Sequence, residues 1–215
     1  MKKRTLWIAL GFLAAFALWT VLVTRVDLQQ IGPLESSVGF ATVNGLVHRL
    51  TGVRMGLYVI TDWLGLVPVA VGFGFALLGL VQWIQRKHIG KVDRGILLLG
   101  GFYILTVAAY VFFESYVVNY RPVLIDGFLE VSYPSSTTLL VLCVMPTAML
   151  QLRARIQKPT LRKILLSAIA VFTGFMVLGR LLSGVHWLTD IIGGILLSAG
   201  LVLLYSFMLG GDHNA

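Results

Sequence analysis

Residues 179–190 (GRLLSGVHWLTD) place an arginine, a histidine and an aspartate beside a long apolar run. His186 and Asp190 are four residues apart, so on a helix they share one face, where the carboxylate accepts a hydrogen bond from one imidazole nitrogen. The other nitrogen then keeps an outward lone pair, as in an oriented nucleophile or base. A histidine–aspartate pair that only caps the following helix is the alternative interpretation.

Two arginines and a run of small hydroxyl residues indicate phosphate as the ligand. Arg121 and Arg180 carry guanidinium groups, which bind phosphate through paired hydrogen bonds. In the segment YPSSTT, residues 133–138, a proline precedes Ser135 and Ser136 at a predicted helix start, whose free N–H groups attract anions. Each feature alone is also typical of an interfacial arginine or a helix cap. Together they predict a phosphoryl-transfer site at a membrane surface.

The elements that must position these residues are predicted to be membrane-spanning helices. The 215 residues are 58% hydrophobic and 12% charged, which excludes an ordinary soluble domain. No Pro-rich, Ser-rich or charged linker divides the chain, so we expect a single all-α domain over residues 1–215, a bundle of six transmembrane helices. The predicted spans cover residues 5–24, 57–85, 95–118, 135–152, 164–182 and 188–209.

The net charge of +8 is a topology signal. Twelve of the 17 basic residues fall in the N-terminal segment and the two short basic turns, which predicts that both termini are cytoplasmic and that the candidate site is extracytoplasmic. This distribution argues against a nucleic-acid partner. The basic start also resembles a secretory signal, but the apolar run that follows lacks a small-x-small cleavage site. Cys143 is the single cysteine, which excludes an intramolecular disulfide and a cysteine metal cluster.

At these residues the sequence resembles the type 2 phosphatidic acid phosphatase family, six-span lipid phosphatases related to vanadium haloperoxidases. The third motif of that family is Ser-Arg, five residues, His, three residues, Asp. Arg180, His186 and Asp190 match its spacing, with Gly179 in place of the serine.

The other two motifs are kept in part. The first, Lys, six residues, Arg-Pro, keeps Arg121 and the following proline but has Glu114 at the lysine position. The second, Pro-Ser-Gly-His, keeps the proline and Ser135 and then has Ser136 and Thr137 where the family has glycine and histidine. The order of the motifs and the six-span layout extend the resemblance over most of the chain.

The resemblance implies a phosphohistidine mechanism, in which His186 attacks phosphorus and Asp190 holds its tautomer. The implied phosphate ligands are Arg121, Arg180, Ser135 and Ser136. The resemblance implies no metal and no other cofactor. The implied partners are the lipid bilayer and a lipid phosphate substrate: phosphatidic acid, phosphatidylglycerol phosphate or a polyprenyl diphosphate. The implied location is a bacterial plasma membrane.

The departures from the motifs bear on activity. The family's general acid is the histidine replaced by Thr137, whose hydroxyl does not titrate near neutral pH. Glu114 either pairs with Arg121 or serves as a substitute acid. We therefore expect a lipid phosphatase that favours polyprenyl diphosphate over phosphatidic acid. The alternative is a weak or inactive relative that binds or moves phospholipids, while a transporter is disfavoured because the polar residues gather at one face. Oligomeric state is not predicted.

Overall fold

A computed structural model describes residues 2–210, and within them the chain is helical apart from its loops and isolated β-bridges. Met1 and residues 211–215 of the predicted domain lie outside the described residues. The helices are α1 (Lys2–Val23), α2 (Ala41–Thr51), α3 (Met55–Leu64), α4 (Leu66–Arg86), α5 (Arg94–Ser115), α6 (Ser136–Arg155), α7 (Pro159–Leu182) and α8 (Leu188–Leu209).

Six segments of the described chain are long and apolar enough to cross a membrane, which confirms the all-α, six-span prediction. Helices α3 and α4 together form the second of them, Met55–Arg86, and α2 lies outside all six. Three span boundaries differ from the predicted ones by three residues or more, and one of them is the end of the fourth span, at Arg155 instead of 152. The third span ends at Ser115 instead of 118, and the fifth begins at Pro159 instead of 164. Proline is favoured in the first turn of a helix, so α7 takes in basic residues that the search for uncharged runs left out.

The centre of the bundle is α6, which packs against α4, α5, α7 and α8, while α1 lies along α8. The close approach of α1 to α8 depends on Gly200, because a β-carbon there would lie 2.7 Å from Leu13 Cδ2. Many large apolar side chains on the outer surfaces of the spans are exposed, as expected where lipid is the solvent. The buried interior is therefore concentrated around α6 and α8.

Three loops meet at the end of the bundle where α6 and α8 begin. The Arg54 N–H donates to the Ser183 carbonyl across 2.9 Å, which joins the chain before α3 to the loop after α7. The Trp187 indole donates to the Tyr120 carbonyl across 2.7 Å. This contact confirms that the loops after the third and fifth spans meet, as their common membrane face predicts.

A polar cluster ties the spans together at the opposite end. The Gln82 amide donates to Asp93 across 2.8 Å, and Arg86 lies 2.9 Å from the same carboxylate. These hydrogen bonds, that of Gln82 first, hold the pKa of Asp93 below its usual value. Arg155 of α6 also pairs with Asp93, at 3.5 Å. The second, third and fourth spans are thus joined at the end away from the candidate site.

Candidate active site

His186 lies in the short loop between α7 and α8 and is buried, with 3% of its surface exposed. Its Nε2 atom is 3.1 Å from Nη2 of Arg180. Because a guanidinium group only donates hydrogen bonds, Nε2 is the acceptor and the ring proton lies on Nδ1. The imidazole therefore directs a lone pair toward Arg180.

The predicted direct hydrogen bond between His186 and Asp190 is not formed. Nδ1 of His186 lies 3.7 Å from Oδ2 of Asp190, beyond hydrogen-bonding distance. The Ser132 hydroxyl lies between them, 3.0 Å from Nδ1, and it donates to Oδ2 across 2.5 Å. The two residues do not share a helix face, because α8 begins at Leu188 and His186 precedes it. The link from imidazole to carboxylate therefore passes through Ser132.

Asp190 is fully buried in the first turn of α8. Its Oδ2 atom accepts a hydrogen bond of 2.8 Å from the Trp187 backbone N–H, and its Oδ1 atom lies 3.3 Å from Nδ2 of Asn119. Ser132 and Asn119 were not among the residues predicted from the sequence. Their positions in the sequence could have indicated them, because Ser132 lies just before the YPSSTT segment and Asn119 lies two residues before Arg121.

Arg121 and Arg180 come together around one aromatic ring, as buried residues 8% and 1% exposed. The guanidinium carbon of Arg180 lies 5.0 Å from the centre of the Tyr58 ring, and that of Arg121 lies 5.8 Å away. In each arginine, Nε and Nη1 are buried and have no hydrogen-bond partner within the described chain. Buried donors normally have partners, so this pair of cations is suited to an anionic ligand such as phosphate. Sequence reasoning missed Tyr58.

Two carboxylates lie beside these arginines. Asp62 Oδ1 is 3.6 Å from Arg180 Nη1, and Glu130 Oε2 is 3.0 Å from Arg121 Nε without the alignment of a hydrogen bond. Glu130, and not Glu114, forms the ion pair with Arg121. The considered pairing of Glu114 with Arg121 is therefore wrong. Glu114 is exposed at the end of α5 and lines a small cavity with Ser132 and Ser136.

The segment at the start of α6 divides between two surroundings. Ser135 is buried, its hydroxyl has no hydrogen-bond partner among the described residues, and its backbone N–H donates to the Asp190 carbonyl across 3.2 Å. The predicted helix start is confirmed, because α6 begins at Ser136. Ser136 and Thr137 are half-buried and line a cavity of about 410 Å³ that Asp62 also lines. Thr137 therefore faces the same space as Asp62.

The surroundings of His186 keep its side chain neutral. Burial, and then the positive charges of Arg121 and Arg180, hold the pKa of His186 well below its usual value. A neutral imidazole with its proton on Nδ1 has a free electron pair on Nε2. Near neutral pH this side chain is consequently in the form that can attack phosphorus.

The family model for the PAP2 superfamily matches residues 69–210, about two thirds of the chain. The chain belongs to the PAP2 superfamily. The matched part of this PAP2 chain contains His186, Asp190 and both arginines, whereas Tyr58 and Asp62 lie before it.

One solved structure similar to this PAP2 chain is the crystal structure of the first transmembrane PAP2 type phosphatidylglycerolphosphate phosphatase from Bacillus subtilis. The two have a TM-score of 0.58 and 16% sequence identity, over 96% of this chain and 98% of that one. At this identity the similarity is one of fold. No curated protein matches the chain.

Proposed function

We propose that this protein is an integral membrane lipid phosphatase that forms a phosphohistidine on His186. The observation that carries the proposal is the contact of 3.1 Å between His186 Nε2 and Arg180, in a site where two buried arginines have donors that form no hydrogen bond within the described residues. A phosphate held by these donors has its phosphorus next to the nucleophile. The proposal takes the chain as a single catalytic domain over residues 1–215, with Ser135 and Ser136 beside the phosphate.

In this mechanism, Nε2 attacks phosphorus as the bond from phosphorus to the lipid oxygen breaks. The imidazole becomes positively charged, and its Nδ1–H donates to Ser132, which donates to Asp190. The buried carboxylate thus stabilises the developing charge through one hydroxyl group and holds the tautomer. Arg121 and Arg180 stabilise the negative charge on the transferred phosphoryl group. The residues that act are all side chains of this chain, and the proposed reaction uses no metal.

A largely apolar cavity beside the site supports a lipid as the substrate class. Asp62 lies both in the lining of this cavity and next to Arg180. A lipid whose phosphate contacts the arginines has its tail in this cavity. The related Bacillus structure is named for a phosphatidylglycerolphosphate phosphatase, which supports a lipid phosphate as the substrate class.

We further propose that a polyprenyl diphosphate is preferred over phosphatidic acid. A phosphate monoester expels a strongly basic alkoxide, whereas a diphosphate expels a phosphate whose second pKa is about 6. Thr137 supplies no titrating group to protonate the leaving oxygen, so the substrate with the better leaving group, the diphosphate, should be turned over faster.

A second candidate function is the binding or movement of phospholipid without turnover. Thr137 and Glu114 favour it, because they replace the family's general acid and a positive charge with a neutral and a negative side chain. The retained His186, Ser132 and Asp190 connection favours catalysis, since binding alone does not require an oriented imidazole.

Phosphate release from a panel of lipid phosphates in detergent distinguishes a lipid phosphatase from a protein that only binds or moves phospholipid. The panel contains phosphatidic acid, phosphatidylglycerol phosphate and undecaprenyl diphosphate, each assayed with excess EDTA and without it. We expect release by the unaltered protein in both conditions and none by His186→Ala. Lipid binding without release by the unaltered protein supports the second candidate, and loss of release in EDTA contradicts metal independence.

We also propose that the protein lies in a bacterial plasma membrane with both termini cytoplasmic and the site outside. The support is the concentration of basic residues at the end of the bundle opposite His186. Labelling of single cysteines with a membrane-impermeant reagent tests the orientation. Gly127→Cys should react from outside and Lys158→Cys only after the membrane is opened; the reverse pattern contradicts the proposal.

A further inference from the structure

Asp62 and the nucleophile lie at different terminal nitrogens of Arg180. One terminal nitrogen of the guanidinium, Nη2, contacts His186 Nε2 at 3.1 Å, and the other, Nη1, lies 3.6 Å from Asp62 Oδ1. Asp62 is thus one guanidinium group away from the atom that is phosphorylated in the proposed mechanism. Its side chain is 58% exposed, whereas that of Arg180 is 1% exposed, so the carboxylate opens onto the space beside the buried arginine.

The position of Asp62 also matches the path of the leaving group. In phosphoryl transfer the nucleophile and the leaving oxygen lie on opposite sides of phosphorus, roughly in line. The leaving oxygen is joined to the lipid tail, and the apolar cavity suited to that tail is lined by Asp62 and Thr137. After the lipid departs, water that enters from this side attacks phosphorus opposite Nε2.

Helix packing holds Asp62 in this place. A β-carbon at Gly179 would lie 2.7 Å from Thr61 Cγ2, so the glycine allows α3 to pack closely on α7 next to Arg180. Tyr58, one turn before Asp62, places its ring against both arginines. The same face of α3 therefore contributes to the phosphate site and carries the carboxylate.

We propose that Asp62 is the general base for the second half of the reaction, the hydrolysis of the phosphohistidine. Its carboxylate takes a proton from water as the water oxygen bonds to phosphorus and the electron pair of the phosphorus–nitrogen bond returns to Nε2. The products are free phosphate, a neutral imidazole and a protonated Asp62, which releases its proton to bulk water. The inference rests on the proposed function.

This role differs from that of the other carboxylates near the site. Glu130 lies beside Arg121, whereas the contact with the nucleophile is made by the other arginine, Arg180. Glu114 shares its cavity with Ser132, on the Nδ1 side of the imidazole, whereas hydrolysis occurs at Nε2. Among the described residues, Asp62 is the carboxylate that lies next to Arg180 and also lines the cavity proposed for the lipid tail.

A nitrophenyl phosphate burst assay separates the two half-reactions. Nitrophenolate leaves without a proton, so the first step proceeds without a general acid, whereas hydrolysis of the phosphoenzyme requires a general base to take a proton from water. With Asp62→Asn we expect one nitrophenolate per protein in a rapid phase. Steady turnover should then be reduced about a hundredfold or more, and an acid-labile, alkali-stable phosphoprotein should accumulate. His186→Ala should give neither phase.

The matched control is Asp126→Asn, which makes the same chemical change in an exposed turn and should behave as the unaltered protein. Unchanged turnover in Asp62→Asn overturns the inference, and so does a burst reduced as much as turnover, which indicates that Asp62 only positions Arg180. A stalled phosphoenzyme in Glu130→Gln instead assigns the base to Glu130. If the unaltered protein releases no nitrophenolate or phosphate from any substrate, the proposed function itself fails. Thermal unfolding of each variant in detergent verifies that the bundle is folded.

Discussion

Arg180 donates a hydrogen bond of 3.1 Å to Nε2 of His186, so a buried cation faces the atom proposed to attack phosphorus. The contact determines the tautomer, because Nε2 accepts and the proton must lie on Nδ1. The proposed nucleophile and one proposed phosphate ligand are therefore adjacent.

The Ser132 hydroxyl should couple His186 to Asp190 in catalysis. Ser132→Ala removes the group between them, and we expect kcat to fall at least about tenfold, with a larger loss in Asp190→Asn. The double variant should lose no more than Asp190→Asn alone, because residues that act as a unit are not additive. Steady-state kinetics on all three variants measure this. Losses that multiply would show that Ser132 and Asp190 act independently.

Arg121→Lys should weaken the phosphate site although it keeps the charge. An ammonium group cannot reproduce paired guanidinium hydrogen bonds, and losing one charged hydrogen bond costs about 1.5–3 kcal/mol, so kcat/KM should fall roughly tenfold to a hundredfold. The control is Arg25→Lys, at an exposed position before α2, which should change kcat/KM little. Equal effects of the two substitutions would argue against phosphate binding by Arg121.

Gly179→Ala should disturb the packing of α3 on α7, because the new β-carbon would lie 2.7 Å from Thr61 Cγ2. We expect a loss of about 1–3 kcal/mol of stability, with lower activity as α3 shifts. Thr61→Ser removes that methyl group and keeps the hydroxyl that donates to the Leu57 carbonyl, so the double variant should recover both properties. Thermal unfolding and turnover provide the measurements, and an absence of recovery would contradict this account of the glycine.

His186 should make the stability of the protein depend on pH. Its folded pKa lies well below the value of about 6.5 expected in the unfolded chain, so the unfolded state binds the proton first. The contribution of neutral His186 to the free energy of unfolding is therefore fully present above about pH 6.5. It is lost as the pH falls below that value, at up to about 1.4 kcal/mol per pH unit. Thermal unfolding at pH 7.5 and 5.5 should show a greater loss for the unaltered protein than for His186→Gln. Equal losses would indicate that His186 is not held neutral.

Thr137→His, with Glu114→Lys, should change substrate preference. A histidine at position 137 can supply a proton to an alkoxide, so phosphatidic acid turnover should rise more than polyprenyl diphosphate turnover. The ratio of the two rates, in the unaltered protein and in the double variant, is the measurement. A preference of the unaltered protein for phosphatidic acid would refute the leaving-group argument. Activity that emerges only in the double variant would favour the phospholipid-binding function.

The six spans were readable from the sequence because apolar composition over membrane-spanning lengths is a local property of the chain. The same holds for the start of α6, which follows from proline and small hydroxyl residues next to one another. His186, Asp190, Arg121 and Arg180 could be singled out by residue type and spacing, since charged groups beside membrane spans are costly and rare.

The contacts among those residues were decided by tertiary structure. Ser132 reaches the gap between His186 and Asp190 because the loop before α6 folds against the start of α8, which is 58 residues away in sequence. Asp62 meets Arg180 because a glycine allows α3 to pack on α7. Sequence spacing describes neighbours along one helix, whereas these pairs depend on how separate helices and loops pack. The sequence alone therefore determined the spans and the main polar residues, and packing decided which of them touch.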